Sequence, residues 1–422
     1  MKVLWITKSP FPEVYEELKM DAPVNVGWVH SAAKTLCEKY GDIDLTVASF
    51  IVGSGFQQIK KKGVPHHYII PGEYQENIKF SENKIDRFWR QIKEEVKPDV
   101  IHMHGTEFPH SYSFVRACGA ENLVVSIQGL VSVYERYYFG NIPRKDLLKT
   151  ITFRDIARMD TIFSWHKNMR KRGAFERALL KKVNHIIGRT SWDKAHAWAL
   201  NPDGTYHFCN ETLRPAFYKN KWSIENCEKY SIFVSQGHYP IKGLHQLLKA
   251  LPIVLKHYPK TRVYISGTNF FTNVGFRLIG FGKYINSLIK KNNLSDHIIF
   301  TGTLAEEEMC KRFVNSHVSV CPSAIENSPN SVGEAQLLGV PCVASYVGGV
   351  ADMIAHEETG LLYRFEEIEM LADNICRLFS DKELAMHISE KSKVVAANRH
   401  QKDQNASRLY QIYSEIFDLK NN

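Results

Sequence analysis

Two glutamates, Glu326 and Glu334, lie eight residues apart in the segment SAIENSPNSVGEAQLLGVPCVASYVGG, residues 323–349. Glu326 falls on a loop after a predicted buried strand, and Glu334 falls just inside the helix that follows. Because a carboxylate accepts hydrogen bonds at both oxygens, Glu334 is suited to the vicinal diol of a ribose and Glu326 to the hydroxyls of a sugar. Two acids at this spacing are more often solvated surface residues, but the strands and turns around them favour a binding site.

The residues near this pair suit a diphosphate. Either Asn330 or Ser331 is expected to cap the helix, and its free N–H groups would then point at the loop and bind an anion. Gly348 and Gly349 predict a tight turn where the backbone can approach a phosphate or a sugar. Lys242, in the segment FVSQGHYPIKGLHQLL, could place a cation beside a leaving phosphate.

The elements that must position these residues follow one architecture twice. Short apolar runs alternate with helical stretches up to residue 216, and the alternation restarts after Tyr218. This pattern predicts an α/β fold of two doubly wound, Rossmann-like domains facing a cleft, with ligands beyond the carboxyl ends of the strands. We expect domains at 1–216 and 217–395, a linker near 217–229, and a C-terminal helix at 396–422 that packs back toward the first domain.

The glutamate segment resembles the glutamate-pair motif of the family-4 retaining glycosyltransferases (GT4, glycosyltransferase group 1 type), which have the GT-B fold. Three further segments resemble this family: IHMHG at 101–105, IKGL at 241–244 and FTGTL at 300–304. The resemblance implies transfer of a sugar from a nucleotide-diphosphate sugar, of UDP or GDP type, to a hydroxyl acceptor such as a lipid-linked saccharide. The sequence is similar to the bacterial enzymes of capsule and lipopolysaccharide synthesis. This similarity implies a hexosyltransferase that uses the nucleotide-diphosphate sugar as co-substrate and needs no cofactor.

The resemblance also assigns roles to individual residues. The catalytic residues that it implies are Lys242, Glu326 and His104. The predicted donor-binding residues are Glu334, Asn330, Ser331, Gly27, Gly348, Gly349, Thr303 and Leu304, with Gln236 and His238 as substitutes where this sequence departs from the family.

The sequence departs from the family at two positions. The usual arginine five or six residues before the lysine is absent, so Gln236, His238, Arg189 or Arg214 would have to provide the second phosphate contact. The histidine usually found in the strand after IHMHG is replaced by Gln128, which can donate a hydrogen bond but cannot take a proton.

Two histidines lie on the IHMHG strand. We place His104, at the carboxyl end of the strand, toward the cleft. We place His102 on the opposite face as a core histidine with its hydrogen bonds satisfied.

No metal ion is expected. Asp42 and Asp44 match the D-x-D pattern of metal-dependent transferases, but they precede the strand LTVASF in a turn and are interpreted as solvated. If Lys242 and backbone amides hold the diphosphate, the reaction needs position and electrostatics and no cation.

Most of the net charge of +9 lies in one stretch, because residues 135–182 hold thirteen lysines and arginines but five acids. Such a stretch suits an anionic membrane surface. The alternative is that its aromatic residues pack into the first domain while its cations are solvated. Nucleic acid is excluded, since stacking motifs are lacking. The aromatic residues are Tyr137, Tyr138, Phe139, Phe153, Phe163 and Trp165.

Composition limits the possible cellular locations, and two alternative functions remain open. No signal peptide is visible, no apolar run approaches the roughly 18 residues of a membrane span, and the eight cysteines are scattered. We expect a cytoplasmic protein, at most peripheral on the inner face of the cell membrane. The rivals are a nucleotide-sugar 2-epimerase and a non-catalytic nucleotide-sugar-binding subunit.

Overall fold

The computed structural model describes residues 1–22, 27–72, 83–267 and 278–421, which fall into two compact units. The first unit comprises Met1–Glu135, Asn168–Thr212 and His400–Asn422, and the second comprises Arg136–Lys167 and Leu213–Arg399. This division differs from the predicted one, because residues 136–167 belong to the second unit although the sequence placed them in the first.

Strands and helices alternate along the described chain. The strands are β1 (Lys2–Ile6), β2 (Asp44–Ile51), β3 (Gln57–Ile59), β4 (His66–Pro71), β5 (Val100–His104), β6 (Leu123–Ser126), β7 (His185–Gly188), β8 (Thr205–Phe208), β9 (Glu228–Val234), β10 (Arg262–Ser266), β11 (Ile298–Gly302), β12 (Ser316–Cys321), β13 (Cys342–Ser345) and β14 (Leu361–Tyr363). The α-helices are α1 (Pro12–Glu17), α2 (Gly27–Lys39), α3 (Asn83–Val96), α4 (Pro109–Cys118), α5 (Val131–Tyr134), α6 (Arg144–Thr150), α7 (Phe153–Ala157), α8 (Ile162–Leu180), α9 (Ser191–Leu200), α10 (Leu244–His257), α11 (Gly280–Lys291), α12 (Glu306–Val314), α13 (Asn330–Leu338), α14 (Ile368–Ser380), α15 (Lys382–Arg399) and α16 (Lys402–Asn421).

The first unit is built on a sheet with the order β3-β4-β2-β1-β5-β6-β7-β8, parallel except where β3 pairs with β4. Side chains of β1 alternate between two buried clusters, with Leu4 and Ile6 on one face and Val3 and Trp5 on the other. A strand that is buried on both faces has a continuous run of apolar residues in its sequence. The segment KVLWI has such a run, and this explains why it predicts a strand.

The C-terminal helix α16 belongs to the first unit. It packs through an apolar stripe, since Leu409, Ile412, Tyr413 and Ile416 are all buried in the same cluster as Trp5. The expectation of one helix over 396–422 is wrong: α15 ends at residue 399 in the second unit, and α16 begins at residue 402.

The second unit contains a six-stranded, fully parallel sheet with the order β11-β10-β9-β12-β13-β14. Counted from β9, this is the order 3-2-1-4-5-6 of a classic dinucleotide-binding domain. The direction of winding reverses between β9 and β12, and ligands of such sheets bind beyond the carboxyl ends of the strands at that point.

The predicted linker is part of the second unit. Phe217 and Trp222 are almost wholly buried in a cluster with Phe233 and Phe313, and the Trp222 indole donates to the carbonyl of Ser316 at 2.8 Å. Because Trp222 lies among polar residues in the sequence KNKWSIENCEK, this segment resembled a linker and its burial was not predicted.

Two further expectations concern the cysteines and membrane spans. All eight cysteines are free thiols, and five of them are buried. Within the described ranges, no helix has both the length and the apolar character needed to cross a bilayer.

Buried histidines predict that the protein loses stability in mild acid. Burial lowers their pKa to about 3 or 4, whereas an unfolded histidine titrates near 6.5. Below about pH 6.5 the unfolded chain therefore binds protons that the folded protein does not, and the free energy of unfolding falls with pH. The residues are His67, His104 and His245 (pKa about 3) and His207 and His317 (pKa about 4).

The measurement is the melting temperature between pH 8 and pH 5. We expect little change from these groups above pH 7 and a progressive decrease below about pH 6.5. A melting temperature that stays level from pH 7 to pH 5 would contradict this assignment.

Candidate functional site

Lys242 and Glu326 meet at the reversal point of the second sheet. Lys242 ends a 3-10 turn, Pro240–Lys242, after β9, and Glu326 lies on the loop after β12. The Lys242 ammonium lies 2.6 Å from Oε1 of Glu326, and the Ser323 hydroxyl donates to the same oxygen at 2.8 Å. The structure thus brings together two residues that the sequence assigned to catalysis.

A glycine sets the distance between these two loops. Gly243 has φ +69°, and a Cβ at this residue would lie 1.6 Å from the carbonyl oxygen of Pro322. The neighbouring Ala324 amide donates to the carbonyl of Ile241 at 2.7 Å. Because only glycine fits this approach, the Lys-Gly pair in IKGL positions Lys242 against the Glu326 loop.

A third loop, after β13, holds the backbone of Glu326. The Gly349 amide donates to the Glu326 carbonyl at 3.0 Å, and a Cβ on Gly348 (φ +52°) would lie 1.9 Å from that oxygen. The sequence predicted that these glycines allow the backbone to approach a phosphate or a sugar. In the structure the close approach is to Glu326 itself.

The pair is charged but partly accessible. The Lys242 side chain is 23% exposed and that of Glu326 is 9% exposed. Burial alone would lower the pKa of Lys242, but the Glu326 carboxylate and its hydrogen bond outweigh burial and raise that pKa above its ordinary value. Lys242 therefore stays cationic at neutral pH, with a quarter of its side chain open to a ligand.

The helix that follows Glu326 begins without a side-chain cap. Its N-cap is Pro329, and no side chain caps it. The expectation that Asn330 or Ser331 is the cap is therefore wrong, because these are the first two residues of α13. The Val332 and Gly333 amides donate to the carbonyl of Pro329 at 3.0 and 3.3 Å. The amides of the first two helical residues, Asn330 and Ser331, have no acceptor within the helix and keep their capacity to bind an anion.

Glu334 has a partner that sequence reasoning did not identify. The Arg214 guanidinium donates from Nε to Oε1 at 2.8 Å and from Nη2 to Oε2 at 2.9 Å. Burial raises the pKa of Glu334, while Arg214 opposes that rise. A carboxylate has about four lone-pair sites, so both oxygens can still accept from a ligand diol. Arg214, already committed to Glu334, is a poor candidate for the missing phosphate cation.

The remaining donor-side candidates lie on neighbouring loops of the same unit. Gln236 is exposed directly after β9. Burial, together with Lys242, lowers the pKa of His238 to about 4, so His238 is neutral at pH 7 and adds no charge. Thr303 is exposed and Leu304 half-buried on the loop after β11.

The first unit contains its own cavity, of about 50 Å³, at the carboxyl ends of β5, β6 and β7. At roughly 10–15 Å³ per water it has room for a few water molecules or one small polar group. Helices α2 and α16 complete its wall. The polar and aromatic residues of the lining include Trp28, His102, His104, Ser126, Arg189 and Glu211.

His102 and His104 lie on the same face of β5, with ring centroids 3.8 Å apart. The prediction of opposite faces is wrong, because residues two apart on a strand share a face. His104 is 9% exposed, and neither ring nitrogen has a hydrogen-bond partner among the described residues. Burial and the nearby Arg189 lower the pKa of His104 to about 3, so it is neutral at physiological pH.

His102 belongs to a directed chain of hydrogen bonds. The Trp5 indole, which can only donate, bonds the Tyr413 oxygen at 2.8 Å. Tyr413 is wholly buried, and the other partner of its hydroxyl is Nδ1 of His102 at 2.5 Å. The Tyr413 hydroxyl therefore donates its hydrogen bond to Nδ1 of His102. Nε2 of a neutral His102 then donates to the Ser126 hydroxyl at 2.6 Å. The hydroxyl hydrogen of Ser126 is left for a partner in the cavity.

Arg189 and Glu211 form an ion pair on another wall of the cavity. The Gln128 amide donates to Glu211 at 2.8 Å, and Arg189 also donates to the Ile127 carbonyl at 2.8 Å. Arg189 is thus committed within the first unit, like Arg214 in the second. Gln128, at the position of the family histidine, helps to hold a carboxylate.

Three other first-unit candidates were named from the sequence. Gly27 begins α2, and residues 23–26 before it lie outside the described ranges. Asp42 and Asp44 are exposed near the start of β2, and Asp42 accepts from the Tyr410 hydroxyl at 2.9 Å. In the part of the chain that the structure describes, no three histidines, cysteines or acids are grouped so as to hold a metal.

The hydrogen-bond chain predicts that Tyr413→Phe destabilises the protein. It would leave the Trp5 indole N–H and a His102 nitrogen buried without partners, at a cost of about 1–3 kcal/mol, or roughly 2–10 °C in melting temperature. Tyr410→Phe is the matched control, since Tyr410 donates to an exposed carboxylate that water can satisfy. Equal melting temperatures for the two variants in calorimetry would refute the buried chain.

Comparison with known proteins gives a family match within the second unit. Residues 216–395 match the family model described as glycosyl transferases group 1. N-acetyl-alpha-D-glucosaminyl L-malate synthase from Bacillus anthracis is 24% identical over 205 residues, 48% of this chain and 50% of that protein. An uncharacterized glycosyltransferase, YqgM, from Bacillus subtilis is 27% identical over 201 residues, 47% of this chain and 53% of that protein. The chain spans about half the length of the curated relatives it matches.

Solved structures extend the likeness to the whole fold. Sucrose-phosphate synthase from Thermosynechococcus elongatus superposes with a TM-score of 0.72 at 15% identity, covering 99% of this chain and 100% of that one. HepE from Anabaena, in complex with UDP and glucose, superposes with a TM-score of 0.66 at 16% identity, covering 98% and 99%. The chain therefore has the GT-B fold, and its residues 216–395 match the glycosyl transferases group 1 family model.

Proposed function

We propose that this protein is a retaining glycosyltransferase of the hexosyltransferase type. It takes its sugar from a nucleotide-diphosphate sugar of UDP or GDP type and transfers it to a hydroxyl acceptor. The observation that carries the proposal is the Lys242–Glu326 pair, held at the reversal point of the second sheet beside the uncapped start of α13. The bound UDP and glucose named for the HepE structure support a donor of this class.

The proposed donor site divides its work among three groups. The amides of Asn330 and Ser331 at the start of α13 hold phosphate oxygens, and Glu334 accepts from the ribose diol. Both side-chain bonds of Glu326 described above use Oε1, which leaves Oε2 for a donor-sugar hydroxyl.

In the proposed reaction the bond between the anomeric carbon and the β-phosphate oxygen breaks, and its electron pair passes to the phosphate. The acceptor oxygen bonds to the same face of the anomeric carbon, and its proton passes to the departing phosphate oxygen. The fixed charge of Lys242 stabilises the charge that develops on that phosphate. Because each contribution is positional or electrostatic, the proposed reaction needs no metal ion.

The proposed acceptor is a neutral, hydroxyl-bearing molecule such as a lipid-linked saccharide, in surface polysaccharide or glycolipid synthesis. The first-unit cavity supports this class, because His104 is uncharged and Ser126 offers a hydroxyl hydrogen there. At about 50 Å³ the cavity would receive one hydroxyl-bearing group of the acceptor and not a whole sugar ring. The corresponding location is the cytoplasm, peripheral to the inner face of the cell membrane.

Glu334→Ala should weaken binding of the preferred nucleoside diphosphate, UDP or GDP, in calorimetry. A ribose diol that loses its acceptor costs about 1–3 kcal/mol, or roughly 5- to 150-fold in Kd. Arg214→Ala is the control, since it removes the ion pair but leaves the carboxylate. It should weaken binding less. The ribose assignment is wrong if both variants bind UDP and GDP as the wild type does, or if Arg214→Ala alone reproduces the whole loss.

Donor turnover in EDTA tests the function itself. Proton NMR of the anomeric signals should show nucleoside diphosphate released and, with an acceptor present, a product with the configuration of the donor. Activity that EDTA abolishes and Mg²⁺ or Mn²⁺ restores would refute the metal-free mechanism. Isomerised donor without acceptor would identify the epimerase, and donor binding with neither transfer nor hydrolysis would identify a non-catalytic subunit.

A further inference from the structure

Four large apolar side chains of the second unit protrude into solvent within twelve residues. They lie on α6, on α7 and in the turn that follows, and together they are called the α6–α7 patch. Their exposed fractions are 59% for Leu148, 73% for Phe153, 62% for Ile156 and 83% for Met159. Single exposed apolar residues are normal, but a cluster of this kind indicates an interaction surface.

Most aromatic residues that the sequence assigned to a membrane surface are packed instead. Tyr138 is buried, Phe139 and Phe163 pack against the core of the second unit, and the Trp165 indole donates to Asp160. The patch therefore consists of Phe153 and of three aliphatic residues that the aromatic pattern did not include.

The exposed charges of residues 136–167, the segment that carries the patch, all have one sign. Between residues 136 and 167 the three acids, Asp146, Asp155 and Asp160, are half-buried or buried. Lys283 extends the basic surface from α11, and its ammonium donates to the carbonyl of Lys149 at 3.2 Å. The exposed charged residues of this segment are Arg136, Arg144, Lys145, Lys149, Arg158 and Lys167.

A polar network beneath α7 holds the patch outward. Thr152 and Asp155 form a capping box, and Asp155 also accepts from the Gly280 amide at 2.9 Å. Arg154 bridges Asp155 at 3.1 Å and Asp160 at 3.0 Å. Because the inner side of the turn is filled by these paired groups, the apolar side chains cannot turn inward without breaking them.

We propose that the α6–α7 patch inserts into the headgroup region of an anionic lipid bilayer. Apolar side chains at the boundary of headgroups and acyl chains, surrounded by lysines and arginines, match a negatively charged lipid surface in both polarity and charge. This inference rests on the proposed peripheral membrane location and names the surface that makes the contact.

The patch occupies only part of the basic stretch 135–182 that the sequence assigned to a membrane surface. In the rest of that stretch, Arg170, Lys171 and Arg172 lie on the first-unit part of α8, where the Arg172 guanidinium donates to the Glu107 carbonyl at 2.9 Å and lies 5.3 Å from the centre of the Phe108 ring. Arg172 is thus part of the first unit's own structure. The second-unit cations beside exposed apolar side chains form the better lipid surface.

Vesicle co-sedimentation tests this surface with two triple variants. The patch variant carries Phe153→Ser, Ile156→Ser and Met159→Ser. The control carries Met370→Ser, Met386→Ser and Val394→Ser, three exposed apolar residues of the same unit on α14 and α15. On vesicles of equal parts phosphatidylglycerol and phosphatidylcholine at low salt, we expect the patch variant to bind at least about tenfold less than the wild type and the control to be unchanged.

Three results would overturn the inference. The wild type could ignore these vesicles, the patch variant could bind them as the wild type does, or it could lose a self-association visible by light scattering, which would assign the patch to a second copy of the chain. UDP and GDP binding is measured on the same samples. Normal nucleotide binding and donor turnover without vesicle binding would remove this inference and leave the proposed function intact.

Discussion

A lysine ammonium and a carboxylate that are both largely removed from water are stable only as a pair, and the second unit is arranged around one such pair. Losing either partner leaves the other charge poorly solvated, which is far more costly than breaking a surface ion pair. Lys242 and Glu326 come from loops after different strands, so their 2.6 Å contact depends on how closely three loops approach one another. Gly243 and Gly348 permit that approach because a Cβ on either would overlap the backbone of a neighbouring loop. The parallel sheet places all three loops at one edge.

The second unit has a charged site, whereas the cavity of the first unit is neutral. The second unit keeps a lysine charged and accessible, and it begins α13 without a cap, so both features favour a polyanion. The first unit keeps its cavity neutral: burial lowers the pKa of His104 to about 3, and Arg189 is paired with Glu211. The C-terminal helix contributes to that neutral cavity, since Tyr413 fixes the tautomer of His102 and thereby the direction of the Ser126 hydroxyl.

Local patterns predicted much of this architecture, while contacts between distant segments escaped them. Alternating apolar runs and helical stretches predicted two parallel α/β sheets and a helical C-terminal segment. The cap of α13 was misjudged because the proline before it, and not a polar side chain, occupies the N-cap. Arg214 lies 120 residues from Glu334, and Tyr413 lies 311 residues from His102, so no local pattern could reveal those partners. Residues 136–167 were assigned by position in the chain, although their packing places them in the second unit.

The central claim is that Lys242 is held in place to bind the terminal phosphate of a nucleoside diphosphate. The most direct test is calorimetry of the preferred nucleoside diphosphate and its monophosphate on the wild type and on Lys242→Met, a variant of similar length without charge. If the claim is right, the wild type prefers the diphosphate by roughly tenfold or more, as expected for a charge-assisted hydrogen bond of about 1.5–3 kcal/mol. The Lys242→Met variant then loses that preference and binds the monophosphate with the affinity of the wild type. If Lys242→Met keeps the full preference for the diphosphate, Lys242 does not contact the terminal phosphate and the account of the site is wrong.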